Sequence, residues 1–247
     1  MTKILKGVSL LQHHLFINAV VKYRVAASTE HLQAIAASQA NSLIDAGANK
    51  GQFSLAFRSI RPNAPIVAFE PLPSASATYE RVFAHDPYTR LLPYALSDRE
   101  EQAQFYVTDR TDSSSLLKPG TRQERAFGVR PASRIVVPVK RLEDCINLTD
   151  LARPIMLKVD VQGGELRLFE GFDSLEQVDF VYAELSFCEL YEGQPLFEEV
   201  AEYLASRGFT IAGAYNQVTT SEYGPTQVDI LFKRRTGVPQ EGKVQNP

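Results

Sequence analysis

The sequence predicts an α/β fold on a largely parallel sheet, and three observations carry that reading. From residue 41 onward, short apolar runs alternate with stretches of helical spacing. A glycine-rich turn, Asp45-Ala46-Gly47-Ala48-Asn49-Lys50-Gly51, joins the first such run to the first helix. The last two runs, residues 210–215 and 228–232, follow one another with no helix between. Such a pair must lie antiparallel, because a parallel return needs a long crossover.

Each element has its own signal. Residues 1–40 read as an N-terminal helical extension, with Val8, Leu11, Leu15 and Val20 at helix-like intervals. Four basic residues there (Lys3, Lys6, Lys22, Arg24) precede the first acidic one, Glu30. A lid, a homodimer contact or a surface for anionic membrane are the functional readings. The broad apolar side favours simple packing on the core. Residues 42–46 form a strand, 52–60 a helix and 65–69 a second strand ending at Glu70-Pro71. A helix over 74–84 and a third apolar run at 91–96 complete the first half.

Residues 99–140 interrupt the alternation as an inserted excursion. Residues 104–107 and 135–139 look like extra strands there. Over residues 110–134, Arg110, Lys118, Arg122, Arg125, Arg130 and Arg134 face only Asp112 and Glu124 in charge count. The stretch reads either as a loop for an anionic substrate or as a solvated excursion. Alternation resumes with a strand at 155–159, a short helix from Glu165, a strand over 178–183 ending at Glu184, and an amphipathic helix over 196–205 stopped by Gly208. The α/β domain thus spans 41–235, and residues 236–247 read as a disordered tail.

Composition narrows the function classes. A hydrophobic fraction of 44% supports a sizeable core, and a net charge of −3 argues against a general nucleic-acid binder. The two cysteines, Cys145 and Cys188, form no CxxC pair and no zinc-spaced cluster, which fits free thiols in a reducing compartment. No apolar run approaches the roughly 20 residues of a membrane helix. Gln12, His13 and His14 break the apolar N-terminal run, which argues against a signal peptide. The expected setting is cytoplasmic.

Five motifs carry the chemistry. Gly47 and Gly51 let the backbone turn sharply and approach a ligand, and the following helix offers a partial positive end. That geometry suits a pyrophosphate or the carboxylate of an amino acid. Asn49 occupies the place where a dinucleotide fingerprint wants a small glycine, and Asp45 would repel a second anion. A zwitterionic amino-acid group therefore fits the loop Asp45, Gly47, Ala48, Asn49 and Gly51 better. Glu70 lies 25 residues after Asp45, next to Pro71, and is placed to accept ribose hydroxyls. Ser97 and Asp98 follow the third run on the side where ligands bind such sheets. Asp98 there is either an acceptor for an adenine amino group or part of a turn.

Lys158 and Asp160, two apart, project from the same side of one strand, and a charged pair in an apolar strand is costly unless satisfied. They read either as a site or as a structural ion pair. Glu184 matches Asp160 one strand over, so Asp160, Glu184 and Lys158 are the candidates for catalysis. The histidines lie outside the strand ends, so a histidine base requires the N-terminal segment to fold over the cleft. No cluster has metal spacing.

Taken together, these motifs resemble the FkbM family of methyltransferases. The matching pieces are residues 43–51, Ala68-Phe69-Glu70-Pro71, Ala95-Leu96-Ser97-Asp98, residues 157–163 and the strand ending at Glu184. The resemblance implies a class I, Rossmann-like methyltransferase fold with a seven-stranded mixed sheet and an antiparallel last strand. It implies S-adenosylmethionine as methyl donor and a hydroxyl of a carbohydrate, glycan or related natural product as acceptor. By position, Asp45, Gly47, Asn49 and Gly51 would hold the methionine end and Glu70 the ribose. The family usually carries Glu where this chain has Gln162, which argues away from a bound metal. The alternatives are an NAD-dependent oxidoreductase and a non-catalytic S-adenosylmethionine-binding protein.

Overall fold

The structure, a computed structural model, describes residues 14–235. The expectations for residues 1–13 and for the tail 236–247 lie outside the described residues. What remains of the N-terminal extension is helical, as α1 (His14–Tyr23) and α2 (Leu32–Ser38) with a 3-10 turn at Thr29–His31 before α2. Phe16 and Ala19 are buried against Tyr79, Val82 and Phe83, so α1 packs on the core.

The α/β body follows as β1 (Ser42–Ala46), α3 (Gln52–Ile60), β2 (Ile66–Phe69), α4 (Pro73–Val82) and β3 (Thr89–Leu92). After the excursion come β7 (Ile155–Val159), α6 (Glu165–Glu170), β8 (Phe180–Ser186), α7 (Phe197–Ser206), β9 (Phe209–Thr220) and β10 (Gly224–Arg234). Their order in the sheet is β3-β2-β1-β7-β8-β10-β9. The pairs from β3 to β8 are parallel, and β10 runs antiparallel to both β8 and β9. All five residues of β1 and of β7 are buried. That is why these strands read as continuous apolar runs rather than alternating ones. Each buried Leu or Ile there contributes roughly 1.5–3 kcal/mol.

The excursion is a second, three-stranded sheet in the order β4-β6-β5. Its strands are β4 (Ala95–Leu96), β5 (Glu101–Thr108) and β6 (Pro131–Lys140), with helix α5 (Thr121–Phe127) between β5 and β6. The apolar run at 91–96 is therefore split between the two sheets. Pro93, which has no N–H to give to a ladder, sits at the break.

The excursion is not a solvated loop. Ser115 Oγ donates to the carbonyl of Gln162 at 2.7 Å, and the N–H of Gly120 donates to the carbonyl of Leu190 at 2.7 Å. The first bond ties it over the β7–α6 turn and the second to the chain that follows β8. The sheet reverses direction of winding between β1 and β7, and Ala46 lies in register with both Phe69 and Val159. The strand ends on that side form the floor of the site.

Candidate functional site

Two cavities open above those strand ends. One, of about 160 Å3, has a mainly apolar wall with Leu96, Phe105, Leu116, Leu117 and Val161, and Glu70, Ser97, Glu101, Asp112 and Arg167 are among its polar groups. The other, of about 360 Å3, is lined mostly by polar groups, including His31, Asp160, Gln162, Glu184 and Asp229. Gly47, Asn49, Asp112, Asp160 and Gln162 line both, so the cavities meet at the junction of the β1–α3 and β7–α6 turns, under Asp112 of the excursion.

Gly47 makes that junction close. It has φ +77°, and a Cβ there would lie 1.8 Å from the carbonyl oxygen of Asp160. No side chain fits. Gly51 has φ +96° for a different reason: a Cβ would strike Phe83 at 2.6 Å, so this glycine lets the loop pack on α4. It lines neither cavity.

The loop's amides are already used. The N–H groups of Gly47 and Ala48 donate to the carbonyl of Phe69, at 3.1 and 2.9 Å, and that of Gly51 donates to Ala48 at 2.8 Å. The N–H of Asn49 donates to Glu70 Oε2 at 2.8 Å and that of Lys50 to Gln52 Oε1 at 3.1 Å. The donors expected for a ligand carboxylate are those at the start of the following helix, and the loop's own N–H groups are not among them. A short turn must pair its own donors, and Glu70 and Phe69 lie close enough to take them. Gln52 and Phe53, which open α3, line the polar cavity instead.

Glu70 is buried, and its other oxygen accepts from the N–H of Leu72 at 2.8 Å. Burial pushes its carboxyl up to about 7, against the pull of the two amides. One carboxylate thus ties the β1 turn to the β2 turn while facing the apolar cavity. Pro71 and Ser97 line that cavity too. Asp98 does not, and accepts from the hydroxyl of Ser97 at 3.0 Å.

Asp45 and Lys158 lie behind the loop. They are register neighbours on β1 and β7, so their side chains share a face. Asp45 is fully buried, lines neither cavity, and accepts from Ser54 Oγ at 2.6 Å. Its other oxygen is 3.2 Å from Lys158 Nζ, an ion pair without hydrogen-bond alignment. The ammonium group donates to the carbonyl of Gly47 at 2.7 Å and stands 3.6 Å from Asp160. Burial alone would lower its pKa, but Asp45 and Asp160 outweigh burial and the net direction is up. A charged, fully committed lysine braces the turn and has no lone pair for proton transfer.

Asp160, Gln162 and Glu184 form one unit. The side-chain N–H2 of Gln162 donates to Asp160 Oδ1 at 2.6 Å and to Glu184 Oε2 at 3.1 Å. Its carbonyl accepts from Tyr191 at 2.6 Å, and Glu184 Oε2 accepts also from Gln227 at 2.8 Å. Glu184 lies within β8 rather than at its end. Burial first, and then the charge of Asp160, push its carboxyl well above the usual value of 4.5. Gln162 is therefore no simple loss of charge. It is the donor that allows two carboxylates to face one space.

A glutamate at 162 would bring a third acceptor to both. Such carboxyls favour the fold while protonated, and they withdraw that contribution as pH rises through their raised values. Gln162→Glu is expected to be near wild type at low pH and destabilised by about 2 kcal/mol at pH 8. Thermal unfolding across that range checks it, and equal melting temperatures at pH 8 would refute the bridging role.

His31 was not placed at the site by sequence reasoning, which required the N-terminal segment to fold over the cleft. That segment does so, and His31 lines the polar cavity, its ring 5.3 Å from Phe53 and 5.6 Å from Tyr182. Nothing in the local pattern around His31 signals this. The basic excursion goes the other way: of its six cations only Arg110 lines the polar cavity. Arg130 pairs with Glu124, Arg125 with Glu222 and Lys118 with Glu192, while Arg122 and Arg134 lie over tyrosine rings.

Comparison with known proteins matches the Methyltransferase FkbM domain over residues 45–211, about two thirds of the chain. The chain belongs to the FkbM methyltransferase family. Its cofactor is S-adenosylmethionine and its reaction a methyl transfer, which overturns the oxidoreductase alternative. Among curated relatives, the 2-O-methyltransferase NoeI of Sinorhizobium fredii is 30% identical over 179 residues, covering 65% of this chain and 74% of that protein. Methyltransferase sdnD of Sordaria araneosa is 28% identical over 235 residues, covering 84% and 86%. The crystal structure of the FkbM methyltransferase of Methylobacillus flagellatus superposes with a TM-score of 0.54 at 13% identity. It covers 90% of this chain, which spans about half of that longer chain (52%), and it shows the shared fold.

The residues present fit this cofactor. The apolar cavity suits a flat heterocycle, Glu70 offers a buried carboxylate to a ribose, and the side-chain oxygen of Asn49 at the junction is buried without a partner. No helix among the described residues is long and apolar enough to cross a membrane.

Proposed function

We propose that this methyltransferase transfers its methyl group to a hydroxyl oxygen of a polar, carbohydrate-like acceptor held in the larger cavity. The carrying observation is the junction itself: a mostly apolar cavity and a polar one share Gly47, Asn49, Asp160 and Gln162. S-adenosylmethionine, when bound, supplies the methyl group as a sulfonium. Glu70 takes the ribose hydroxyls, Ser97 and Pro71 border the base, and the start of α3 at Gln52 and Phe53 faces the amino-acid end. Gly47, Ala48 and Asn49 form the wall beside the reacting centre. Asp45, Lys158 and Gly51 hold that wall in place from behind.

Asp160 and Glu184 face the acceptor. Two carboxylates tied by one amide suit the paired hydroxyls of a sugar, and alignment of the chosen hydroxyl is most of what such a displacement needs. The name of the Sinorhizobium relative, a 2-O-methyltransferase, supports oxygen as the target. The dispersed cations of the excursion give little support to an anionic acceptor, for which Arg110 alone is available.

A panel of hydroxyl, amine and thiol acceptors tests the reading, with S-adenosylhomocysteine release and the mass of the product as readouts. Methylation of a sugar hydroxyl is expected, with Asp160→Asn raising KM roughly tenfold or more, the cost of one charged hydrogen bond. Turnover confined to amines or thiols would contradict it.

A further inference from the structure

An aligned hydroxyl still has a proton to lose, and the carboxylate pair is poorly suited to take it. Both members accept from Gln162, and Glu184 is pushed toward its protonated form. The imidazole of His31 lines the same cavity. We propose that His31, oriented by Tyr182 and Asp229, is the general base that takes the acceptor's proton. The proposal rests on the O-methylation reading above.

The geometry assigns the tautomer. Tyr182 donates its hydroxyl hydrogen to Asp229 Oδ2 at 3.0 Å, and Asn216 donates to the same oxygen at 2.8 Å. The oxygen of Tyr182 is therefore an acceptor toward His31 Nδ1, 2.9 Å away, and Asp229 Oδ2 is a further acceptor at 3.3 Å, while the amide nitrogen of Asn216, which donates to that same Asp229 oxygen, stands 3.1 Å from Nδ1. Two oxygens, one of them a carboxylate's, outweigh an amide already donating to Asp229 and place the hydrogen on Nδ1, which leaves the lone pair on Nε2. The nearest charge to Nε2 is Glu30 at 3.7 Å, an exposed side chain. A histidine held through Nδ1 by a carboxylate, with Nε2 facing the reactants, is the arrangement that orients a base and stabilises its protonated form.

The elements that build this group come from three places. Tyr182 and Asp229 stand on the paired strands β8 and β10, Asn216 on β9, and His31 on the turn before α2. Phe53 of α3 packs on the ring. The titratable groups facing it are Glu30, Tyr182 and Asp229, with Asp112, Lys158, Asp160 and Glu184 elsewhere in the cavity wall. In the step, the acceptor's O–H bond breaks and its proton passes to Nε2. The freed electron pair forms the oxygen–carbon bond to the methyl group, while the sulfur–carbon bonding pair stays on sulfur.

Two measurements test the assignment. Nitrogen NMR of labelled wild-type protein at alkaline pH reads the tautomer without turnover: protonated Nδ1 is expected, and protonated Nε2 overturns the proposal. Calorimetry and kinetics of His31→Gln come second. The expected result is a fall in kcat of roughly a hundredfold or more, the usual share of a general base. S-adenosylhomocysteine affinity stays within about twofold. A His31→Gln enzyme that keeps its rate overturns the proposal. So does one that loses cofactor affinity in step with rate. A wild-type enzyme inactive on every hydroxyl sinks the O-methylation reading separately, because the tautomer is read independently.

Discussion

Gly47→Ala is expected to abolish cofactor binding at ordinary ligand concentrations. A Cβ at this position would lie 1.8 Å from the carbonyl oxygen of Asp160. That oxygen belongs to backbone held by its own amide, which donates to Ala46 at 3.1 Å. Neither partner is a flexible side chain that can swing away. The left-handed φ of +77° adds roughly 1–2 kcal/mol for any residue with a Cβ. The two turns must move apart, and with them the wall common to both cavities. Calorimetry with S-adenosylhomocysteine should show a loss of a hundredfold or more, about 3 kcal/mol. The melting temperature should also fall. Wild-type affinity would mean that the junction is not where the cofactor lies.

The second large effect is expected at Glu70. Its two oxygens hold the amides of Asn49 and Leu72, and its removal frees two buried donors as well as the ribose acceptor. Each charged hydrogen bond of this kind is worth about 1.5–3 kcal/mol. Glu70→Ala should therefore weaken S-adenosylhomocysteine binding at least a hundredfold, and unchanged affinity would remove Glu70 from the site. Its carboxyl, raised by burial to about 7, adds a pH signature. The ionised form is the better acceptor for hydroxyls. Affinity should weaken as pH falls through about 7, and Glu70→Gln should flatten that dependence.

Much of this architecture is legible in the sequence, for identifiable reasons. Strands β1 and β7 are buried on both faces, so their apolar runs stand out whatever surrounds them. Glu70 announces itself as a charge where an apolar run ends. The family motifs fix the cofactor class because they encode backbone shape, and shape is local.

What was hidden is what depends on distant partners. Asp45 looks like a ligand-facing carboxylate until Lys158 and Ser54 enclose it from other elements. Gln162 looks like a missing charge until Asp160 and Glu184 converge on its amide. His31 sits on an irregular turn 14 residues before the loop, and only the packing of Phe53 and Tyr182 brings it over the cavity. Charge counting misled at the excursion, whose arginines are mostly spent on neighbours such as Glu124 and Glu222.

The central claim is that cofactor and acceptor occupy adjoining cavities that meet at Gly47, Asn49, Asp160 and Gln162. A crystal structure of the protein with S-adenosylhomocysteine tests it most directly. The expected result is the ribose on Glu70, the base among Leu96, Phe105 and Leu117, and the sulfur directed toward Asp160 and the polar cavity. Density for the nucleoside in the polar cavity, against His31 and Asp229, would contradict it.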